Sequence, residues 1–223
     1  MDNSTLANVN LFNFAHTRAC TYLEMFKYPW EAVKGIEECI ERISLALGEE
    51  FSNYGGGVFV HRSARVAPSA VLIGPCIVEE NAEVRHCAFV RGGVLIGKGC
   101  VIGNSVELKN SILFDGVQIP HLSYAGDSIL GYRAHLGAGV IITNLKADRS
   151  EIAIKVGNGR ILSGLVKCGA FLGDGVEVGC NAVLCPGTVI GRGARIYPLA
   201  LARGTYPENC IVKRDGKIEK LHR

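Results

Sequence analysis

Aliphatic residues recur at every sixth position over much of the chain. Val60, Val66, Leu72, Val78, Val84, Val90, Ile96, Ile102 and Leu108 keep the spacing, and Phe114 follows in phase. A second run keeps it through Val166, Leu172, Val178, Leu184, Ile190 and Ile196. Two positions before the first set stand small or apolar residues (Ala64, Ala70, Cys76, Ala82, Ala88, Val94, Cys100, Val106), and Gly97 and Gly103 follow directly after their aliphatics. Strand side chains alternate between two faces, so an even period brings the same position inward on each successive short strand. The pattern therefore predicts an all-β solenoid, a coil of brief parallel strands joined by tight turns. Its interior is a narrow stack of aliphatic and small side chains with no room for a ligand, so any site lies outside, and two prisms side by side would form a groove.

Two interruptions break the repeat. From Phe114 to Leu130 the spacing is two hexads plus four, and the surplus is assigned to Pro120–Asp127. A polar stretch from about Leu145 to Leu165 is expected to leave the coil as an inserted loop, and insertions in solenoids collect on binding faces. Residues 1–50 lack the period of six and form a separate N-terminal helical segment. From Pro29, the apolar Trp30, Val33, Ile36, Ile40, Ile43 and Leu47 are spaced by threes and fours, which predicts an amphipathic helix ending near Gly48. A shorter helix is expected within Phe14–Phe26, and the pair is read as a cap over the open first coil. Residues 51–212 then form the β-helix, and 213–223 a basic C-terminal tail.

Composition narrows the class. Glycine makes up 28 of the 223 residues, nearly double the usual share of about 7%, as turns between short strands require. The formal charge of +3 and the absence of long like-charge blocks give no reason to expect nucleic acid as a partner. No run of about 18 apolar residues suggests a membrane span. Met1, Asp2, Asn3 and Ser4 lack the basic and apolar parts of a signal peptide, so the expected location is cytoplasmic. Nine cysteines without a CxxC pair are read as reduced, small and buried.

The repeat resembles that of the hexapeptide-repeat family. The resemblance implies a left-handed parallel β-helix with three hexads per coil, about seven coils here, and a homotrimer with sites shared between copies. The hand comes from the resemblance alone, since ordinary crossovers are right-handed.

The segment Val106–Gly131 carries Val106, Glu107 and Lys109, then His-Leu-Ser-Tyr-Ala-Gly-Asp from His121 to Asp127. It resembles the C-terminal acetyltransferase domain of the bifunctional enzymes that acetylate glucosamine 1-phosphate and then transfer a uridylyl group. Asn144 within Gly137–Asn144, and the insertion that rejoins at Cys168–Gly179, are similar to the archaeal-type members. The resemblance covers roughly Ala88 to Pro198. It implies His121 as the general base, Arg91 and Lys109 at the sugar phosphate, and Tyr124 and Asn144 at the amino sugar. It implies Ala138 beside the thioester and Cys180 along the pantetheine of acetyl-CoA. Glu107 is open between orienting His121 and pairing with Lys109. Lys146, Arg149 and Lys155 are the cations available for the lysines the family carries along its loop, and Lys213, Arg214 and Lys217 for coenzyme phosphates.

Acyl transfer from a thioester to an amine needs a base for the nitrogen's proton, a donor for the tetrahedral oxyanion and clamps for the anionic sugar phosphate. Imidazole titrates near neutral pH and suits the first task, while guanidinium and ammonium suit the last. The expected activity is acetyl-CoA-dependent N-acetylation of an amino-sugar 1-phosphate, with no metal required. Uridylyl transfer is not expected, because no glycine-rich nucleotidyltransferase domain precedes the repeats. A noncatalytic subunit that docks a sugar nucleotidyltransferase through its N-terminal helices is the alternative. A metal site shared by His86, His121 and His135 is the third reading.

Overall fold

The computed structural model describes residues 6–221; Met1–Ser4 lie outside them. The chain winds into a three-sided, left-handed parallel β-helix. The first face stacks strands from Val58–His61 through Cys76–Val78 and Val94–Ile96 to Thr188–Ile190 and Thr205–Tyr206. The second runs from Arg65–Val66 to Cys210–Val212, and the third from Val71–Ile73 to Leu201–Ala202. Two faces hold eight parallel strands and the third seven. With an antiparallel strand at each end the stack reaches about nine layers, so the expectation of about seven coils falls short. The last coil, from Val189 to Thr205, takes 16 residues and so falls outside the six-residue spacing.

The inward column is the aliphatic repeat itself. Val60, Val78, Ile96, Leu113, Leu130, Leu172 and Ile190 stack on the first face, and all are buried. The column corrects the reading of the first interruption. Val94 pairs with Ser111 and Ser111 with Ser128, steps of 17 where the earlier coils take 18. There is no surplus at Pro120–Asp127: each of two coils has lost one residue at the corner between the third and first faces. That corner is turned by Gly92 and Gly93 in one coil, but by single left-handed residues, Asn110 (φ 46°) and Asp127 (φ 51°), in the next two. Asparagine and aspartate tolerate this conformation better than most side chains. The strands therefore run unbroken around the corner, as Glu107–Leu113 and Tyr124–Leu130. Leu113, not Phe114, takes the inward place, and Phe114 turns outward to pack against Phe12, the rings tilted and their centroids 5.1 Å apart.

The N-terminal segment covers a flank, which corrects its reading as a cap on the first coil. On the outside of the first face, Ile77, Leu95, Ile112, Ile129, Phe171 and Val189 form a ladder in register, every rung buried. A polar outer surface would have needed no cover; this apolar one is roofed by Phe12, Leu23, Trp30, Val33, Ile36 and Ile40. Fully burying such a side chain stabilises by roughly 1.5–3 kcal/mol. The expected helix is interrupted at Gly35: Pro29–Ala32 is α-helical, Val33–Gly35 a 3-10 turn and Ile36–Ser44 α-helical again. Within Phe14–Phe26 only a 3-10 turn at Phe14–His16 and one α-turn at Cys20–Leu23 form.

The inserted stretch is an antiparallel hairpin, Ala153–Val156 with Gly159–Leu162. Ile152, Ile154 and Val156 alternate along it and bury into the same flank cluster as the helices. At the other end, Cys210–Val212 pairs antiparallel with Ile218–Lys220, and the tail cations Lys213 and Lys217 pair with Glu219 and Asp215. All nine cysteines are free; Cys39, Cys76, Cys100, Cys168 and Cys210 are buried, but Cys87 and Cys180 are exposed, against the expectation of burial. No helix among the described residues is long and apolar enough to cross a membrane.

Candidate functional site

The third face and its two edges gather the residues singled out in the sequence. Inward positions along it are Val90, Leu108 and Ala125, so the alternate residues Arg91, Glu107, Lys109 and Tyr124 project outward. Glu107 stands in register with Tyr124, and Lys109 with Gly126.

At the edge shared with the first face, the two shortened coils bring Asn110, Asp127 and Asn144 into one column, each 17 residues from the last. Asp127 is its centre and is 3% exposed. Its Oδ1 accepts from Lys109 Nζ at 3.0 Å and from Asn110 Nδ2 at 2.8 Å, and its Oδ2 accepts from Asn144 Nδ2 at 2.5 Å. The same Asn144 amide donates to the Tyr124 hydroxyl at 3.1 Å, which leaves the phenolic O–H as a donor. Burial, and then the charges of Asp127 and Glu107, push the Tyr124 phenol above its ordinary range, so it stays protonated at neutral pH. Gly126 keeps this arrangement open: a Cβ there would run into the Tyr124 hydroxyl and lie 2.8 Å from Asn144 Nδ2.

Arg91 and Lys109 both face outward, as the sequence implied, and both already have anionic partners. Arg91 Nη1 lies 2.9 Å from Glu107 Oε1. Glu107 thus takes neither alternative offered for it: it pairs with Arg91, while Lys109 pairs with Asp127.

At the opposite edge, shared with the second face, His121 sits in register with Asn104 at the end of the strand Gln118–His121. Beneath it the corner descends through Ala138 and Cys180: Gly139 N donates to His121 O, Asn181 N to Ala138 O, and Leu199 N to Cys180 O. His121, Ala138 and Cys180 therefore occupy equivalent corners of successive layers. His121 is exposed, and among the described residues its imidazole makes no hydrogen bond or ion pair. The third face and its edges thus hold Lys109, Tyr124 and Asn144 in one network through Asp127, Arg91 in a separate pair with Glu107, and His121, Ala138 and Cys180 in a line.

His135 is occupied elsewhere, with Nδ1 2.7 Å from Glu177 Oε2, and among the described residues no three metal-binding side chains converge. The third face also keeps exposed aliphatic side chains, Val71, Ile73, Ile141 and Leu201. The sequence reading passed over Asp127 and Asn110. The signal was present in the 17-residue spacing of Asn110, Asp127 and Asn144, but it becomes visible only once the coils are known to be short.

Comparison with known proteins finds similarity to parts of several larger ones. Residues 72–158 match the family described as the GMPPB C-terminal domain. A bifunctional sugar-1-phosphate nucleotidylyltransferase/acetyltransferase of Sulfurisphaera tokodaii is 39% identical over 163 residues, 65% of this chain and 40% of that protein. The bifunctional protein GlmU of Methanococcus maripaludis is 30% identical over 197 residues, 87% of this chain and 45% of that one. The chain thus spans less than half the length of these two relatives. Among solved structures, the acetyltransferase domain of PglB from Neisseria gonorrhoeae aligns at a TM-score of 0.37 with 15% identity, covering 87% of this chain and 68% of that one.

Proposed function

From the premise that this chain is a hexapeptide-repeat β-helix related to the bifunctional sugar-1-phosphate nucleotidylyltransferase/acetyltransferases, we propose that it is an acetyl-CoA-dependent N-acetyltransferase acting on an amino-sugar 1-phosphate in the cytoplasm. The observation that carries this reading is the line of His121, Ala138 and Cys180 down one edge of a face whose centre holds the Arg91–Glu107 and Lys109–Asp127–Asn144–Tyr124 network. The coenzyme's pantetheine runs along the corner past Cys180 and Ala138, where small side chains let the backbone come close. The acceptor lies over the outward side chains, its phosphate at Arg91 and Lys109 and its sugar against Tyr124 and Asn144.

In the reaction the acceptor nitrogen attacks the thioester carbonyl, a C–N bond forms and the C–S bond breaks. His121 takes the proton from the nitrogen, and a proton returns to the departing thiolate. The backbone N–H of Ala138 donates to the tetrahedral oxyanion. Cys180 is not a nucleophile here, because transfer is direct. The exposed Val71, Ile73, Ile141 and Leu201 suit contact with a second copy, which would wall the groove, and a closed homotrimer satisfies all three such faces.

The alternative, a noncatalytic subunit docking through its helices, has less apolar surface to dock with, because the helices bury one side on the first face and keep Val9, Met25 and Leu45 exposed. The deciding experiment is a scan of amino sugars and their 1-phosphates with acetyl-CoA, reading free thiol. His121→Ala is expected to lower turnover by roughly 10²- to 10⁴-fold with the oligomer intact. Unchanged turnover would remove His121 as the base, and no thiol release with any amine would favour the subunit.

A further inference from the structure

A cleft of about 480 Å³ lies between the hairpin and the coils at Cys185–Gly187 and Arg203–Gly204. Four cations line it: Lys146 and Lys155 from the inserted stretch, Arg160 from the returning strand and Arg203 from the coil wall. Among the described residues none of the four forms an ion pair, although most other cations of the third face and tail do. The one carboxylate in the lining, Asp148, accepts from the Ser150 amide and hydroxyl. Ala153 and Pro186 add apolar surface to the same wall. The lining carries a net charge of about three positives, and bringing like charges together is unfavourable until a counter-charge enters.

The coil wall of the cleft is set apart from Lys109, while the first lining residue, Lys146, follows Asn144 of the acceptor network by two residues. Lys109, Gly126, Thr143, Cys185 and Arg203 follow one another on the outer row of the third face, so the cleft wall lies three to four layers beyond Lys109. At about 4.8 Å per layer that is roughly 14–19 Å, longer than a sugar monophosphate. Arg91 and Lys109 are neutralised by Glu107 and Asp127, whereas the cleft cations are not. We propose that this cleft binds a nucleotide polyphosphate, the phosphates held by Lys146, Lys155, Arg160 and Arg203 and the base or ribose against the apolar wall. The site stands independently of the acetyltransferase reading, because its test measures binding alone.

The test is calorimetric titration of the full chain with ADP, UDP, UTP, pyrophosphate, 3′,5′-ADP and glucosamine 1-phosphate. It is repeated on Lys155→Gln/Arg160→Gln, whose fold is checked by its melting curve. Di- and triphosphates are expected to bind and to weaken roughly ten-fold in the double variant, with affinity falling as salt rises. Displacement of bound nucleotide by coenzyme A, with equal loss of coenzyme affinity in the double variant, identifies the coenzyme's nucleotide end as the source. Nucleotide binding indifferent to coenzyme A identifies a free nucleotide. The proposal is overturned if no polyphosphate binds, if the double variant binds as tightly as the unaltered chain, or if glucosamine 1-phosphate binds as well and weakens to the same extent.

Discussion

Replacing Asp127 by asparagine tests the network that organises the third face. Asn keeps the tolerance for a left-handed backbone that φ 51° demands, so the change isolates charge and hydrogen bonding. In the native protein the carboxylate, its side chain 4% exposed, accepts from three donors at 3.0, 2.8 and 2.5 Å. An amide cannot accept on both sides: its NH₂ must face either Lys109 and Asn110 or Asn144, donor against donor. Removing one member of a buried pair costs about 3–5 kcal/mol. The Lys109 side chain is 24% exposed, and water can serve part of its charge. The expected loss is therefore about 2–3 kcal/mol, or roughly 4–12 °C in Tm for a chain of this length. Urea unfolding at fixed protein concentration would measure it, since an oligomer's stability depends on concentration. Lys109→Met and the double substitution complete a cycle in which a coupling of about 1–2 kcal/mol is expected. A loss below about 0.5 kcal/mol for Asp127→Asn, or a coupling near zero, would mean that Asp127 does not hold the network.

Trp30, the single tryptophan, is 2% exposed, stacks on Tyr28 and lies 6.2 Å from the Phe171 ring, so it reports on the roof of the first face. Phe171→Ala should cost about 3–5 kcal/mol and shift the Trp30 emission to the red; an unshifted spectrum would separate the helices from that ladder. At pH 8 a disulfide reagent should titrate the exposed Cys87 and Cys180 first. Burial pushes Cys76 and Cys168 up to about 12 and Cys39 up to about 11, which disfavours the reactive thiolate until the chain unfolds. Nine thiols reacting at one rate in the native protein would contradict this burial. If the third face is the contact between copies, Ile73→Asp with Leu201→Asp should shift sedimentation from trimer to monomer, and an unchanged profile would move the interface elsewhere.

The repeat of aliphatic residues by itself determined the core. Each short strand must put one apolar side chain inside, and a period of six repeats that requirement without reference to anything distant, so the inward column was legible except at Phe114 and at Val166, which lies exposed outside it. The apolar stripe of the N-terminal helices was legible for the same reason, spaced by threes and fours, but not its break at Gly35 or its end at Ser44. What the stripe could not state was its partner. Ile77, Leu95, Ile112 and Ile129 occupy outward positions that look unremarkable in their separate hexads and become an apolar ladder only when coils stack. The hairpin was hidden in a polar stretch because only Ile152, Ile154 and Val156 alternate there. The corner at Asp127 depended most on the tertiary structure. Dropping one residue from each of two consecutive coils moves the inward place by one, from Phe114 to Leu113, and it decides that Lys109, Asn110, Asp127 and Asn144 meet. Hydrogen-bond partners are set by proximity across layers about 17 residues apart, and a linear pattern read hexad by hexad does not contain that distance.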